Sequence, residues 1–366
     1  MYRFFNNHIN KIFKRKITNI SYGYLNLSIH DKIIHYFENL KKNIIYINDS
    51  KNCKEYINEI KKNLNEKYNF IGLDVEGYKI GKHGIISIIQ ICTENIYIFD
   101  LYKCDNTYLF IMYLKEILEN EKIIKITHDC REDCSILYNQ YNINLNNVFD
   151  TQVAYNLFLK KKKKDLYQIS YDDLLFKCLL LNNNHKIYFH KIISLDPKVY
   201  LKRPISKELI QYAIQDVLYL KPLMLILIDK LNNIDEKKNI LLDLNEEKKK
   251  VYNLDLHKID LINYVIDNSQ KYINYQFLNS HIKNEKKLQK GMIIEGMIVS
   301  CSNLKIYVKL NLSKKGVITN YLNHKYEIGD IVKCIILGFS GNNYINLGFS
   351  QSSNDKLNDL KIIKNK

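Results

Sequence analysis

Asp74 and Glu76 lie two apart in an apolar stretch, FIGLDVEGYKIGKHGIISIIQICTENIYIFDL, over residues 70–101. In a strand, residues two apart project from one face, so two carboxylates stand side by side among apolar neighbours. Without a cation such a pair repels, and at least one member takes up a proton. The triplet alone would also suit a solvated strand face. What argues for chemistry is the rest of the chain, where Asp133 in THDCREDCSILYNQY and Asp216 in QYAIQDVLYL can bring two more carboxylates to the same place. Tyr212 precedes Asp216 by one helical turn and shares its side of the helix.

Asp129 competes with Asp133 for the third position. Asp129 directly precedes a helix and Glu132 follows three residues later, a capping box that gives Asp129 a structural job. Asp133, in the first turns of that helix, is free to turn inward and is the preferred candidate. His128 ends the preceding strand and reads as a hydrogen-bonded structural histidine. Four carboxylates from three segments, with a phenol beside the last, suit in-line hydrolysis of a phosphodiester. Hard oxygen ligands with positions left open for water and phosphate are what two divalent ions, Mg2+ or Mn2+, require.

The elements that must position these groups follow from periodicity. NIIYI and DSKNCKEYINEIKKNL read as a strand and an amphipathic helix capped by Asp49 or Ser50. Three strands fill residues 70–101. A helix near 108–118, the continuous apolar run KIIKITH, a helix over 131–139, the short strand VFDT and a helix in QVAYNLFL come next. Two prolines frame a turn in SLDPKVYLKRPIS, and a strongly apolar helix runs over 206–221, where Pro222 kinks or ends it. Strands meeting early and then alternating with helices specify an α/β fold, a mixed sheet covered on both faces.

Across 366 residues the formal net charge is +16. That surplus favours a polyanionic partner, and nucleic acid over a membrane surface. No apolar run reaches span length; LMLILI is far too short. The eight cysteines are scattered without Cys-x-x-Cys and read as reduced thiols rather than a zinc site or disulfides. Residues 1–30 hold Arg and Lys but no Asp or Glu, interleaved with Phe and Ile, which suits a mitochondrial or plastid-like presequence. An unstructured basic tail, with the protein in cytoplasm or nucleus, is the other reading. The five lysines at 160–164 read as a solvated loop between helices.

Residues 43–230 form the first domain, residues 231–287 read as helical trim and a linker, and residues 288–350 change texture to five short glycine-punctuated strands. That spacing fits a small all-β barrel of the OB type, a second domain in which lysines outnumber acids. Residues 351–366 are a polar tail.

The segments GLDVEG with KHGIISIIQI, HDCREDCSILYNQYNINLNNVFDTQVAYNL, and LDPKVYLKRPISKELIQYAIQDVLYL resemble the DEDD superfamily of 3′–5′ exonucleases in its tyrosine-containing branch, alongside ribonuclease D and the Werner exonuclease. Within it they are most similar to the exonuclease-domain-containing and Egalitarian-like group. The resemblance implies a ribonuclease-H-like fold. It also implies that Asp74 bridges two metals, that Glu76 and Asp216 complete one site, that Asp133 holds the second ion, largely through water, and that Tyr212 orients the attacking water. Some members have lost acids and serve as adaptors; this sequence keeps all four. The barrel is similar to the RNA-binding barrel of ribosomal S-one type, through GMIIEGMIV, Gly316 and YEIGDIVKCIIL. That likeness puts a stacking aromatic at Tyr307, whereas Val317 and Thr319 stand where a second aromatic and a histidine are customary. Contacts to nucleic acid then fall to Lys305, Lys309, Lys314 and Lys315. The expected function is metal-dependent 3′–5′ exonucleolysis releasing nucleoside 5′-monophosphates. Its expected partner is RNA, single-stranded or 3′-tailed, gripped also by a tethered barrel; DNA hydrolysis and a silent RNA-binding adaptor are the rivals.

Overall fold

The computed structural model describes residues 43–64, 69–181, 186–235, 256–302, 304–319, 326–341 and 343–350. The basic segment 1–30 and the polar tail 351–366 lie outside the described residues.

A six-stranded mixed sheet is ordered β1-β4-β3-β2-β5-β6. Its strands are β1 (Ile44–Ile47), β2 (Phe70–Tyr78), β3 (Ile85–Cys92), β4 (Ile96–Asp100), β5 (Ile124–Thr127) and β6 (Val148–Asp150). β2 pairs antiparallel with β3 and parallel with β5, so the strand bearing Asp74 and Glu76 is interior. Alternation sets its faces. Leu73 and Val75 join Ile89, Ile91 and Phe99 in one core cluster, packed on α1 (Ser50–Asn63), α2 (Thr107–Leu118) and α3 (Arg131–Tyr141). Asp49 caps α1, its side chain accepting from the Asn52 amide.

The opposite face carries Ile88, Ile98, Ile126 and Phe149 and is covered by α4 (Thr151–Lys161), α5 (Tyr171–Leu179), α6 (Lys186–Leu195) and three consecutive helices, α7 (Lys207–Ala213), α8 (Gln215–Leu218) and α9 (Leu220–Asp235). The single helix expected to be kinked or ended by Pro222 is broken at Ile214 and Tyr219. Pro222 sits in the first turn of α9, where its missing N–H would have had no intrahelical partner anyway. The helical stretch Lys207–Asn232 is long and apolar enough by composition to cross a membrane, although Asp216, Lys221 and Asp229 interrupt it and no continuous apolar run reaches that length. Its apolar side is committed to the core instead: Leu209, Ala213, Val217, Leu223, Met224, Leu227 and Leu231 are buried.

The region read as trim and linker holds α10 (Leu256–Asn274) and a 3-10 turn (Tyr275–Phe277). Tyr272, Tyr275, Gln276 and Asn279 within it are buried. Beyond it, β7 (Ile293–Cys301), β8 (Lys305–Lys309), β9 (Lys315–Thr319), β10 (Ile331–Phe339) and β11 (Tyr344–Phe349) close a barrel in the order β10-β11-β9-β8-β7. The barrel is welded to the sheet domain rather than tethered. Met297 of β7 is fully buried within the cluster of the sheet domain. Asn279 donates to the carbonyls of Glu295 and Leu310, each at 2.7 Å, and Lys82 Nζ donates to the Asn279 and Ile282 carbonyls at 2.6 and 2.8 Å. Of the lysine run, Lys160 and Lys161 end α4, and Lys160 pairs with Glu327 beside the barrel at 2.6 Å.

Candidate metal centre

A ligand oxygen from each of Asp74, Glu76 and Asp216 lies within 4.8 Å of the other two. Two features of the backbone produce this. β2 alternation aims Asp74 and Glu76 at the face under α8, and Gly72, two residues earlier on that face, lets α8 approach. A Cβ on Gly72 would come 2.9 Å from the Val217 carbonyl oxygen, closer than real side chains sit. Asp216 reaches the strand because residue 72 has no side chain.

The electrostatics are those of crowded, buried carboxyl groups. Burial, then the charge of Asp133, pushes the Asp74 carboxyl well above the usual carboxylate range. Burial, then Asp74 and Asp216, does the same to Glu76. Asp133, from α3, stands outside the trio yet near enough to act on both, and is itself raised by burial and then by Asp129 and Glu132. A donor set made wholly of crowded carboxylate oxygens fits a hard divalent cation, whose charge relieves the repulsion.

Tyr212 lies near enough to Asp216 and Glu76 to feel their charge. Its ring stacks on Phe189 of α6, centroids 4.4 Å apart at 21°. Burial, then Asp216 and Glu76, raises its phenol, so the hydroxyl stays a hydrogen-bond donor at neutral pH.

Several contributors escaped the sequence reading. Tyr200, in a 3-10 turn (Val199–Leu201), donates from its hydroxyl to Glu76 Oε1 at 3.0 Å. Gln90, paired with Asp74 in the β2–β3 register, donates to Asp74 Oδ2 at 3.1 Å. Arg203 holds Tyr200 in place: it donates to the Tyr200 carbonyl at 2.7 Å and grips the buried Asp100 carboxylate through two bonds of 2.6 and 2.5 Å. Only the tight spacing of Tyr200 and Arg203 in KVYLKRPIS hinted at this, and no periodicity marks it.

Asp129 does not cap α3. The residue before that helix is Cys130, whose side chain makes no cap bond. Asp129 has a φ of 56° and binds Arg131 through Nε at 2.5 Å and Nη2 at 2.7 Å. Although burial works the other way, Arg131 and then Lys309 hold the Asp129 carboxyl below the usual range. The backbone amides of Asp129 and Cys130 go to Asp150, whose buried carboxylate also accepts from the Gln152 and Val153 amides at the start of α4. Asp129 fails as a cap because its left-handed backbone and its bidentate partner point the carboxylate at Arg131 instead. His128 is hydrogen-bonded, Nδ1 to Thr151 at 2.9 Å and Nε2 to the Ile169 carbonyl at 3.1 Å.

On the barrel, Lys305 and Lys315 are exposed. Tyr307 is half-buried, 6.1 Å from the Tyr344 ring, and Lys314 Nζ lies 5.4 Å from the Phe339 centroid. Lys309 departs from the expectation of an open surface lysine. It faces the sheet domain, 3.0 Å from Glu132 Oε1 and 3.9 Å from Asp129 Oδ2, because β8 ends against α3.

The sequence profile of the 3′–5′ exonuclease family matches residues 44–232, just over half of the chain. The piRNA biogenesis protein EXD1 of Homo sapiens is 32% identical over 173 residues, which cover 45% of this chain and 34% of that protein. The Egalitarian protein homolog of Caenorhabditis elegans is 33% identical over 123 residues, covering 32% of this chain and 21% of its own length. The chain thus spans at most about a third of either relative. Among solved structures, the Trypanosoma brucei RNase D complex with GMP superposes with a TM-score of 0.48 at 17% identity, covering 65% of this chain and 66% of that one.

Proposed function

The chain belongs to the 3′–5′ exonuclease family, and from that premise we propose that it hydrolyses RNA from a free 3′ end, releasing nucleoside 5′-monophosphates with the help of two Mg2+ or Mn2+ ions. The observation that carries the reading is the convergence of Asp74, Glu76 and Asp216 to within 4.8 Å, with Asp133 close by. When bound, divalent ions would supply Lewis acidity for water activation and for the leaving oxygen. Asp74, Glu76 and Asp216 would hold one, and Asp74 with Asp133 the other.

The chain's own groups do the rest. Gln90 and Tyr200 each take one oxygen of a carboxylate, which fixes the rotamer and leaves the second oxygen to ligate. Tyr212, immobilised on Phe189, presents a protonated phenol that orients the attacking water. The name of the human relative, a piRNA biogenesis protein, supports RNA over DNA, as does a barrel with exposed Lys305 and Lys315.

The test is incubation of 3′-blocked and unblocked RNA and DNA oligomers with Mn2+ or Mg2+. Stepwise shortening of unblocked RNA to 5′-monophosphates is expected. Equal shortening of blocked ends would overturn the 3′ direction, and preference for DNA would overturn the choice of substrate.

A further inference from the structure

We propose that Lys309, reaching from the barrel, is a positioning residue of the metal centre, holding the first turn of α3 so that Asp133 faces Asp74. This rests on reading the four acids as a metal site.

The end of β8 grips α3 on both sides of Asp133. On one side, Lys309 Nζ lies 3.0 Å from Glu132 Oε1, and that oxygen also accepts from the Tyr275 hydroxyl at 3.1 Å. The same hydroxyl accepts the Asn311 amide at 2.9 Å. On the other side, Ser135 Oγ donates to Asn311 Oδ1 at 2.5 Å, and Asn311 is locked by two bonds to the Gln276 and Leu278 carbonyls at 3.0 and 3.1 Å. Residues 132 and 135 are therefore fixed by residues 309 and 311, and Asp133 lies between them.

The clamp is built into enclosed space. Lys309 is only 22% exposed. Glu132 leans on Gly81, whose φ is +135° and where a Cβ would fall 2.8 Å from Glu132 Oε2. Arg131, next in the turn, is buried and reaches Met297 Sδ of β7 at 3.8 Å. Arg131 already pairs Asp129, so the charge of Lys309, 3.0 Å from Glu132, serves chiefly to offset the repulsion between Glu132 and the other acids.

Electrostatics and positioning make opposite forecasts. Removing a nearby cation, with nothing else changed, tightens binding of a divalent cation. Removing a residue that holds Asp133 in place weakens it. The test is calorimetric titration of the full chain with Mn2+, comparing wild type, Lys309→Met, Lys309→Arg and, as an exposed lysine control on α1, Lys62→Ala.

We expect Lys309→Met to weaken Mn2+ binding roughly 10-fold, the low end for losing a partner that orients a metal ligand. It should lower kcat with KM for a short oligonucleotide unchanged, whereas Lys309→Arg recovers both and Lys62→Ala changes neither. Thermal melting checks folding. Should Lys309→Met not fold, Tyr275→Phe cuts the same clamp without changing charge and must weaken Mn2+ binding. Unchanged or tighter binding in the folded variant overturns the proposal. A wild-type chain that binds no Mn2+ overturns the metal-site reading, and this inference with it.

Discussion

Tyr200 and Glu76, 124 residues apart in the chain, meet through a 3.0 Å hydrogen bond from the phenol to Oε1. The turn that carries Tyr200 is thereby tied to a ligand candidate, and Arg203 ties the turn in its place to Asp100. Tyr200→Phe keeps the buried ring and removes only this bond. It should cost about an order of magnitude in kcat, as loss of an orienting partner does, with little change in melting temperature. Wild-type turnover in this variant would leave Glu76 positioned by packing alone.

The pH dependence of stability follows from the acids. Asp74 and Glu76 have folded-state pKa values raised by burial and by their neighbours. Without metal, their contribution to stability is fully present below the unfolded carboxylate pKa of about 4 and is lost as pH rises through the raised values. Asp74→Asn should therefore raise the metal-free melting temperature more at pH 8 than at pH 5, while abolishing hydrolysis. A uniform shift across that pH range would mean that Asp74 is not repelled in the folded state.

Asp129 and Asp133 should separate cleanly. Asp129→Asn leaves Arg131, 1% exposed, without its carboxylate, and stranding one member of a buried pair costs about 3–5 kcal/mol. Asp133→Asn relieves crowding, so the fold should hold while activity collapses. Melting curves and single-turnover rates on both variants check this; the opposite pattern would exchange the two roles.

Gly72→Ala should push α8 off β2, since the new Cβ would meet the Val217 carbonyl at 2.9 Å. Overpacking of this kind costs about 1–3 kcal/mol. Because Asp216 precedes Val217, activity should fall further than stability alone explains. Full activity at a lowered melting temperature would show that the strand, not the helix, gives way.

Deleting residues from 290 onward should not yield a working sheet domain. Met297 and Asn311 fill buried positions against α3, so the truncated chain should aggregate or melt far below the full chain, as differential scanning calorimetry would register. A truncated protein with native melting and turnover would restore the picture of a tethered module.

How much was legible follows physical lines. The strand alternation that aims Asp74 and Glu76 to one face and the helical spacing of Tyr212 and Asp216 are local, so periodicity exposes them. The five barrel strands are marked by glycines and alternation for the same reason. Asp129 was misread because a capping box is a pattern of residue types, whereas the choice between cap and ion pair depends on φ, here 56°. Lys309, Tyr200 and Gln90 act across sequence separations that no local pattern encodes. The break at Ile214 was likewise hidden, whereas the one at Tyr219 falls where Pro222 denies the Leu218 carbonyl its intrahelical donor.

The burial of Met297 against Arg131 has a consequence for synthesis. A ribosome delivers α3 long before β7, so Arg131, Ser135 and Glu132 emerge with one side uncovered and wait about 170 residues for their partners. At typical elongation rates of about 5–20 residues per second that interval is on the order of 10–30 seconds. Throughout it, the helix bearing Asp133 lacks its final brace. A chain interrupted before the barrel therefore leaves the first turns of α3 without their contacts to Met297, Lys309 and Asn311.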